Sequence, residues 1–211
     1  MIRTTVLAVL LAASFPAFAT EQAKAKPDLA KAKEIAEGVC VACHGADGNS
    51  PAAANPILAG QISEYLYKQL SNFKAADGKP AVRNNAIMGG MVAALSDEDM
   101  RNLAAYFSQQ KMKPSLAKEE KLLAEGKTLW RMGDFEKGIP ACAGCHGPAG
   151  AGLPVQYPRL AGQYAEYTAS QLKTFRSHER ANDSEKVMRT IAGKLSDHQI
   201  AAVAEYAAGL R

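Results

Sequence analysis

Apolar residues recur every three to four positions in six stretches of the chain, a spacing that places them on one face of a helix. Ser96 and Ser196 each precede an aspartate and are predicted to cap the helices that follow them. No stretch alternates apolar and polar residues in the way that predicts a strand. The pattern therefore predicts an all-α fold with helices over residues 29–39, 62–74, 96–110, 118–131, 164–177 and 196–208.

The second half of the chain repeats the first. At an offset of 102 positions, Leu-Ala-Gly-Gln at 58–61 coincides with the same tetrapeptide at 160–163. After a shortening of two residues, Leu-Ser-Asp at 95–97 coincides with Leu-Ser-Asp at 195–197. An internal duplication is the simplest explanation, and each copy has the size of one domain. We expect tandem domains over residues 20–113 and 114–211, with the boundary within 111–118, where one helical pattern ends in Lys-Met-Lys-Pro-Ser.

Residues 1–19 have the pattern of a secretory signal peptide. Arg3 precedes an apolar run over residues 6–15, and Ala17-Phe18-Ala19 is a typical cleavage site. The alternative, a membrane anchor, would need a run of about 20 apolar residues. We therefore expect cleavage after Ala19 and a mature protein in the periplasm, with at most peripheral membrane association.

All four cysteines lie in two pentapeptides, Cys-Val-Ala-Cys-His at 40–44 and Cys-Ala-Gly-Cys-His at 142–146. Two cysteines separated by two residues can form thioethers with the two vinyl groups of one haem, while the adjoining histidine binds the iron. A redox dithiol, or one zinc held by both pairs, would also use Cys-x-x-Cys, but neither explains the histidine in both copies. We predict two covalent haem c groups, held by Cys40, Cys43 and His44 and by Cys142, Cys145 and His146.

The duplication also points to the ligand on the other side of each iron. Of seven methionines, only Met88 and Met188 coincide in the aligned repeats. Met91 is the rival in the first copy, but its counterpart is Ile191, which cannot bind iron. We therefore favour Met88 and Met188 as metal ligands. A thioether raises the reduction potential over that of a site with two histidines, and two filled axial positions leave no place for a substrate.

Several other residues are candidates for supporting each haem. Pro56 and Pro158 each lie twelve residues beyond their histidine, where a backbone carbonyl can accept the imidazole N–H, although a structural turn would also explain them. Trp130 could pack against the second haem or belong to the ordinary core. His178 and His198 lack counterparts and are expected on the surface. Further candidates are Tyr65, Tyr167, Arg83 and Arg159 for the haem propionates, and Gly60 and Gly162 for close approach at the haem edge.

The long segment 45–60, rich in Gly, Pro and Asn, would be unusual in a compact domain unless it wrapped around a bound group such as haem.

The chain has 25 Lys and Arg against 21 Asp and Glu, and removal of Arg3 with the signal peptide lowers the net charge from +4 to +3. Two haems would add four propionates, enough to cancel this excess. With no basic arm, we expect no nucleic-acid partner.

These motifs resemble those of the cytochrome c4 family, periplasmic two-haem proteins built from two class I cytochrome c domains. The resemblance covers essentially the whole mature chain. It implies His/Met ligation at both irons, haems near each other across a domain interface, and one-electron transport from a respiratory complex to a terminal oxidase. Two alternatives remain, a haem subunit bound to a sulfide-oxidising flavoprotein and, less favoured because Met88 and Met188 fill the axial positions, a dihaem peroxidase. We expect an electron carrier and not an enzyme.

Overall fold

A computed structural model describes residues 26–76 and 78–211, so the predicted signal peptide and its cleavage site lie outside the described residues. Within these ranges the regular structure is helical, and β pairing is limited to isolated bridges such as Ala76 with Lys79. The helices are α1 Leu29–Ile35, α2 Val41–His44, α3 Ser63–Phe73, α4 Ala86–Val92, α5 Asp97–Ser108, α6 Glu120–Met132, α7 Ala143–His146, α8 Ala165–Arg176, α9 Val187–Ala192 and α10 Asp197–Gly209. The described part of the chain thus confirms the predicted all-α fold.

In the first repeat, α1 packs across α5. The contact uses Ala32 and Ala36, both completely buried, against Leu103 and Phe107. Alanines let two helix backbones approach closely, and the larger Ile35 beside them packs partly buried against the same cluster. A π-helical turn, Ala36–Cys40, joins α1 to α2, so the helical path continues directly into the first pentapeptide.

The second repeat has the same arrangement, with α6 packed across α10. Here the crossing point is Gly126, where an added Cβ would lie 2.1 Å from the carbonyl oxygen of Ala202. Trp130 and Leu129 extend the contact into a core that includes Ile200. In both repeats a third helix, α3 or α8, packs on the last one and completes the domain.

The starts of α5 and α10 agree with the sequence prediction. Ser96 accepts a hydrogen bond from the backbone N–H of Asp99, and the Asp99 carboxylate accepts one from the backbone N–H of Ser96. Ser196 and Gln199 form the same reciprocal pair at the start of α10. These capping boxes fix the two positions where the aligned repeats enter their last helix.

All six predicted helices are present, with ends shifted by a few residues. The sequence pattern did not predict α4 and α9, the short helices that carry Met88 and Met188. The cause in α4 is its pair of glycines, Gly89 and Gly90, which disfavour a helix in isolation. In α9 the cause is its entry, where Lys186 has a left-handed backbone.

The segment between α5 and α6 contacts both repeats. Near its start, the Lys113 N–H donates to Asn49 Oδ1 at 2.6 Å in the first repeat. Further along, the Ser115 N–H donates to the Gly162 carbonyl at 2.8 Å, and the Lys118 N–H donates to Glu205 Oε2 at 2.8 Å, both in the second. The domain limits 20–113 and 114–211 stay a prediction, and these contacts tie the connection to both sides.

None of the helices in the described ranges has the length and apolar character needed to cross a membrane.

Candidate haem sites

Each pentapeptide ends in a short helix whose last residue is the histidine, His44 in α2 and His146 in α7. The following glycine, Gly45 or Gly147, has a positive φ and turns the chain away from the helix. At Gly45 an added Cβ would lie 2.6 Å from the Asn49 carbonyl oxygen, so the turn is also tight. The turn starts the long loop that ends at Pro56 in the first repeat and at Pro158 in the second.

Both histidines are held in the same orientation by that proline. Nδ1 of His44 lies 3.0 Å from the Pro56 carbonyl oxygen, and Nδ1 of His146 lies 2.9 Å from that of Pro158. Because a carbonyl can only accept, Nδ1 carries the proton and Nε2 carries the lone pair. The prediction for Pro56 and Pro158 is confirmed.

The free nitrogen of each imidazole fits an iron ligand. Burial lowers the pKa of both His44 and His146, with the proline hydrogen bond opposing it, so the rings are neutral. Nε2 of His146 is buried without a hydrogen-bond partner in the protein. A buried neutral imidazole with an unused lone pair and a fixed opposite nitrogen is the donor that haem iron requires.

The cysteines fit covalent attachment better than the other chemistries considered for them. No disulfide joins these four cysteines to one another. Burial raises the pKa of Cys40 and Cys142 to about 11, so neither is the low-pKa thiolate of a redox dithiol. Among the described residues, no three His, Cys, Asp or Glu side chains converge as a metal site, so the single-zinc alternative has no support in the structure.

The two aligned methionines lie at equivalent places. Met88 and Met188 are in the first turns of α4 and α9, and both are partly buried. The side chain of Asn85 caps α4 by accepting from the Met88 N–H at 2.9 Å. The rival Met91 is 46% exposed. Ligation by Met88 and Met188 stays a prediction.

An open depression of about 320 Å³ separates α9 from the segment before the second pentapeptide. Pro140 lies on one side, while Val187 and Ile191 lie on the other. These residues flank Cys142 and Met188 in the sequence. The structure therefore places the methionine helix opposite the cysteine segment, with an opening between them whose other lining residues include Glu185, Thr190 and Lys194.

A buried polar cluster lies where the two repeats meet. Arg83 donates to Gln69 Oε1 at 2.7 Å and to Gln171 Oε1 at 2.6 Å. Arg180 donates to the same two oxygens, at 3.2 Å and 2.8 Å. Since Gln69 is in α3 and Gln171 in α8, each guanidinium bridges both repeats. The arginines also stack on Phe73 and Phe175, one in each repeat.

Both tyrosines predicted to support haem, Tyr65 and Tyr167, belong to this cluster. Tyr65 accepts from Arg180 at 3.0 Å, and Tyr167 accepts from Arg83 at 3.3 Å. Burial would raise the pKa of Tyr65, but the positive charges of Arg180 and Arg83 outweigh it and lower that pKa. The fourth predicted residue, Arg159, lies apart from the cluster, and its guanidinium donates to the Ala161 carbonyl.

Sequence reasoning missed Arg180 and its partner Asn182. Arg180 is the structural counterpart of Arg83, but the offset between them is 97 positions, which neither of the two alignment offsets reproduces. The sequence offered only a weak signal, since Arg83 lies between Phe73 and Met88 but both Arg176 and Arg180 lie between Phe175 and Met188. The structure shows that Arg180 is the one that stacks on Phe175.

Neither buried arginine forms an ion pair within the described part of the chain. The acidic partners of other arginines are Asp97, Asp183 and Asp197, and none of them pairs with Arg83 or Arg180. Two buried guanidiniums that share only neutral oxygens favour a bound anion. The carboxylates of haem propionates would supply that charge.

The remaining predicted residues have structural surroundings. His178 is exposed, and His198 lies on the surface 2.8 Å from Glu125, as expected. Trp130 is buried in the core, donates to the Pro148 carbonyl at 3.2 Å and lies 6.4 Å from the His146 ring. At Gly162 an added Cβ would lie 2.6 Å from Pro114, so the close neighbour visible there is the connecting segment.

Comparison with known proteins agrees with this geometry. A family model described as Cytochrome c matches residues 29–111 and again 123–210. The chain is 47% identical over 183 residues to cytochrome c4 of Pseudomonas aeruginosa, covering 86% of this chain and 88% of that protein. It is 44% identical over 172 residues to a Thiomonas intermedia protein named thiosulfate dehydrogenase electron acceptor, covering 80% of this chain and 77% of the relative.

A solved structure extends the comparison to the fold. Reduced recombinant cytochrome c4 from Pseudomonas stutzeri matches with a TM-score of 0.81 and 42% identity, covering 88% of this chain and all of that one. Two matches to one family model, each around a histidine with the same hydrogen bond, define a protein of two cytochrome c domains. The chain belongs to the cytochrome c4 family.

This membership establishes the class of function. The protein is an electron-transfer protein whose partners are redox proteins. It carries two covalent haems, one attached to Cys40 and Cys43 and the other to Cys142 and Cys145.

Proposed function

We propose that this protein is a periplasmic one-electron carrier of a respiratory chain, in which His44 and Met88 bind one iron and His146 and Met188 bind the other. The observation that carries the proposal is the hydrogen bond from each imidazole Nδ1 to a proline carbonyl, which leaves Nε2 of both histidines directed to another partner. The equivalent positions of the two methionines in α4 and α9 support the second ligand.

Bound haem supplies a one-electron couple between ferric and ferrous iron, and a thioether ligand favours the ferrous form. The chain's own residues hold that couple in a fixed environment. The Pro56 and Pro158 carbonyls orient each imidazole, while burial keeps the ring neutral and excludes water from its surroundings. Rigid ligands change little between oxidation states, so each electron transfer needs little reorganisation.

The arginine cluster supports the placement of both haems near the domain interface. Arg83 and Arg180 are each less than 10% exposed, and each touches side chains from both repeats. We propose that haem propionates complete this cluster, together with the hydroxyl groups of Tyr65 and Tyr167. Arg159 is a weaker candidate because its guanidinium is turned to its own backbone.

The proposed ligands are tested by three single variants of the holoprotein. Met88→Ala and Met188→Ala should each remove half of the near-infrared charge-transfer band that methionine-bound ferric haem shows, and each should open one iron to carbon monoxide. Met91→Ala is the matched control, since it lies on the same helix, and should keep the full band. A full band in Met88→Ala with half of it lost in Met91→Ala would show that the ligand in the first domain was assigned wrongly.

The proposed location and acceptor rest on the N-terminal pattern and on the family. Periplasmic export follows from the predicted signal peptide at 1–19. We propose that electrons come from a respiratory complex and go to a membrane terminal oxidase. Reduced purified protein should be oxidised by membranes of the source organism, with oxygen uptake that cyanide blocks. Oxidation that cyanide leaves unchanged would point to a different acceptor.

In a second candidate function, the protein accepts electrons from an enzyme that oxidises a sulfur compound. The relative named thiosulfate dehydrogenase electron acceptor is 44% identical, so a thiosulfate-oxidising enzyme is a reasonable electron donor. Reduction of the oxidised protein by periplasmic extract, with and without thiosulfate, tests it. A flavoprotein that copurifies in equal amount would instead favour the permanent subunit of a sulfide-oxidising complex.

A further inference from the structure

Two glutamines cross the domain interface in opposite directions. Gln163 of the second repeat accepts from the Ile57 N–H at 3.0 Å and donates to the Ile57 carbonyl at 2.9 Å. Gln61 of the first repeat accepts from the Arg159 N–H at 2.9 Å and donates to the Arg159 carbonyl at 2.9 Å. Each side chain therefore pairs with the backbone of one residue in the other domain.

The residue that each glutamine holds directly follows the proline that holds the histidine. The Pro56 carbonyl and the Ile57 N–H belong to one peptide group. That carbonyl accepts from Nδ1 of His44 at 3.0 Å, while the N–H donates to Gln163. A single peptide plane thus connects the histidine of the first domain to a side chain of the second.

The reverse connection has the same geometry. The Pro158 carbonyl accepts from His146 at 2.9 Å, and the N–H of the same peptide group, that of Arg159, donates to Gln61. Hydrogen bonds in series polarise one another, so an acceptor on the N–H makes the carbonyl of the same peptide a better acceptor.

Both glutamines are fixed and shielded. Gln163 is 5% exposed and Gln61 is 8% exposed, so water has little access to replace them. The Oε1 atom of each also accepts from the next backbone N–H in its own chain segment, that of Tyr164 or Ile62. This additional bond sets the amide orientation, with oxygen toward the peptide N–H and nitrogen toward the carbonyl.

We propose that Gln61 and Gln163 are crossed positioning residues, each of which sets the hydrogen-bond strength of the iron-binding histidine in the opposite domain and thereby the reduction potential of the opposite haem. The inference rests on the proposed ligation by His44 and His146. A stronger bond from Nδ1 increases the basicity of the imidazole and favours ferric iron. Loss of Gln163 should therefore raise the potential of the first haem, and loss of Gln61 that of the second.

The first test measures the hydrogen bond of each histidine directly. In the reduced holoprotein, the Nδ1–H protons of His44 and His146 are observed by NMR with ¹⁵N-labelled histidine and assigned through contacts to Ile57 and Arg159. Gln163→Leu should move the His44 proton upfield and leave that of His146 unchanged, and Gln61→Leu should do the reverse. A change confined to the histidine of the variant's own domain, an equal change in both, or no change in either would overturn the proposal.

The second test measures the reduction potential of the first haem alone. In a Met188→Ala background the methionine charge-transfer band reports only the first haem. Adding Gln163→Leu should raise the ferrous-to-ferric ratio of that haem by roughly twofold to fivefold at a fixed applied potential, part of what a whole hydrogen bond is worth. Gln61→Leu in this background is the matched control and should leave the ratio unchanged. An equal response to both variants contradicts a crossed effect.

A third variant separates this role from simple packing. Gln163→Glu keeps an acceptor for the Ile57 N–H, so its ferrous-to-ferric ratio should stay at or below that of the parent, whereas loss of packing would move it in the same direction as Gln163→Leu. If Gln163→Leu does not fold, Gln163→Glu and Gln61→Glu still show whether the potential of the opposite haem rises or falls. A crossed NMR response without any change in potential would overturn the proposed effect on the opposite haem. Failure of the proposed ligation is recognised separately, because the parent protein would then lack the methionine charge-transfer band.

Discussion

At the scale of single residues, the two domains use the same hydrogen bonds with different side chains. The clearest case is the capping box, where Asp99 in α5 corresponds to Gln199 in α10. Asp99 also pairs with Lys31 of α1 at 2.7 Å, so its carboxylate connects the first and last helices of its domain. The carboxamide of Gln199 cannot titrate, and this difference makes one domain sensitive to acid at a position where the other is not.

We expect Asp99→Gln to lower the stability of the first domain slightly at pH 7, because Gln can keep the reciprocal capping bond, as Gln199 does, while the solvent-screened ion pair with Lys31 is lost. The Lys31 ammonium, followed by the Ser96 hydroxyl and N–H, lowers the pKa of Asp99 to about 2. The stabilisation is therefore full above the ordinary carboxyl pKa and is lost as the pH falls toward 2.

Chemical denaturation followed by circular dichroism between pH 7 and pH 2 measures this effect. The difference between the parent and Asp99→Gln should shrink below about pH 4. Glu98→Gln is the control, because it removes a charge from the same helix turn without a capping bond. A difference that is constant over the whole pH range would show that the carboxylate of Asp99 contributes nothing by its charge.

At the scale of elements, the crossing of the first and last helices determines where each pentapeptide sits. Gly126 lies at this crossing in the second domain, with Ala202 O and Tyr206 Cβ as its close neighbours. Ala32 and Ala36 allow the same approach in the first domain. Since α6 continues to Trp130, which packs beside His146, a shift of the crossing would also disturb the histidine.

Gly126→Ala should destabilise the second domain by about 2 to 3 kcal/mol, because a Cβ 2.1 Å from a backbone oxygen forces the two helices apart. Gly38→Ala is the matched control in the first domain, since nothing lies within 4 Å of its added Cβ. Thermal unfolding of both holoproteins measures the difference. Similar melting temperatures for the two variants would contradict the close crossing of α6 and α10.

The long helices could be predicted from the sequence because each has an apolar face and, in α5 and α10, a serine cap. The short helices α4 and α9 could not, because Gly89 and Gly90 weaken the local signal and packing on α3 or α8 supplies the stability. The attachment residues and the Pro56 and Pro158 carbonyls followed from spacing. The interface residues Arg180 and Asn182 did not, since their partners are far away in the sequence and the repeats differ in length there.

At the scale of the whole molecule, the interface is polar and nearly symmetric. Arg83 and Arg180 share the oxygens of Gln69 and Gln171, and the crossed glutamines lie beside the two histidine loops. These buried hydrogen bonds cost free energy when broken, so the two domains should hold a fixed relative position. If both haems lie near this interface, as proposed, a fixed separation would let each influence the other's potential through charge.

Arg180→Gln should lower the potentials of both haems, because a positive charge near each favours the less positive ferrous state. This outcome differs from that of Gln163→Leu, which acts on one haem and in the opposite direction. The control is Arg101→Gln, which removes a solvent-exposed charge on the outer face of α5. Potentiometric titration measures all three variants. An unchanged titration of Arg180→Gln would place the buried arginines away from both haems.

Each chain is proposed to hold two irons, both bound by one histidine and one methionine. Near-infrared magnetic circular dichroism of the fully oxidised wild-type protein tests this ligation most directly, because ferric haems with different axial ligands have different charge-transfer energies. We expect a single histidine–methionine signature with the intensity of two haems per chain. A bis-histidine or high-spin component, or the intensity of one haem, would contradict it.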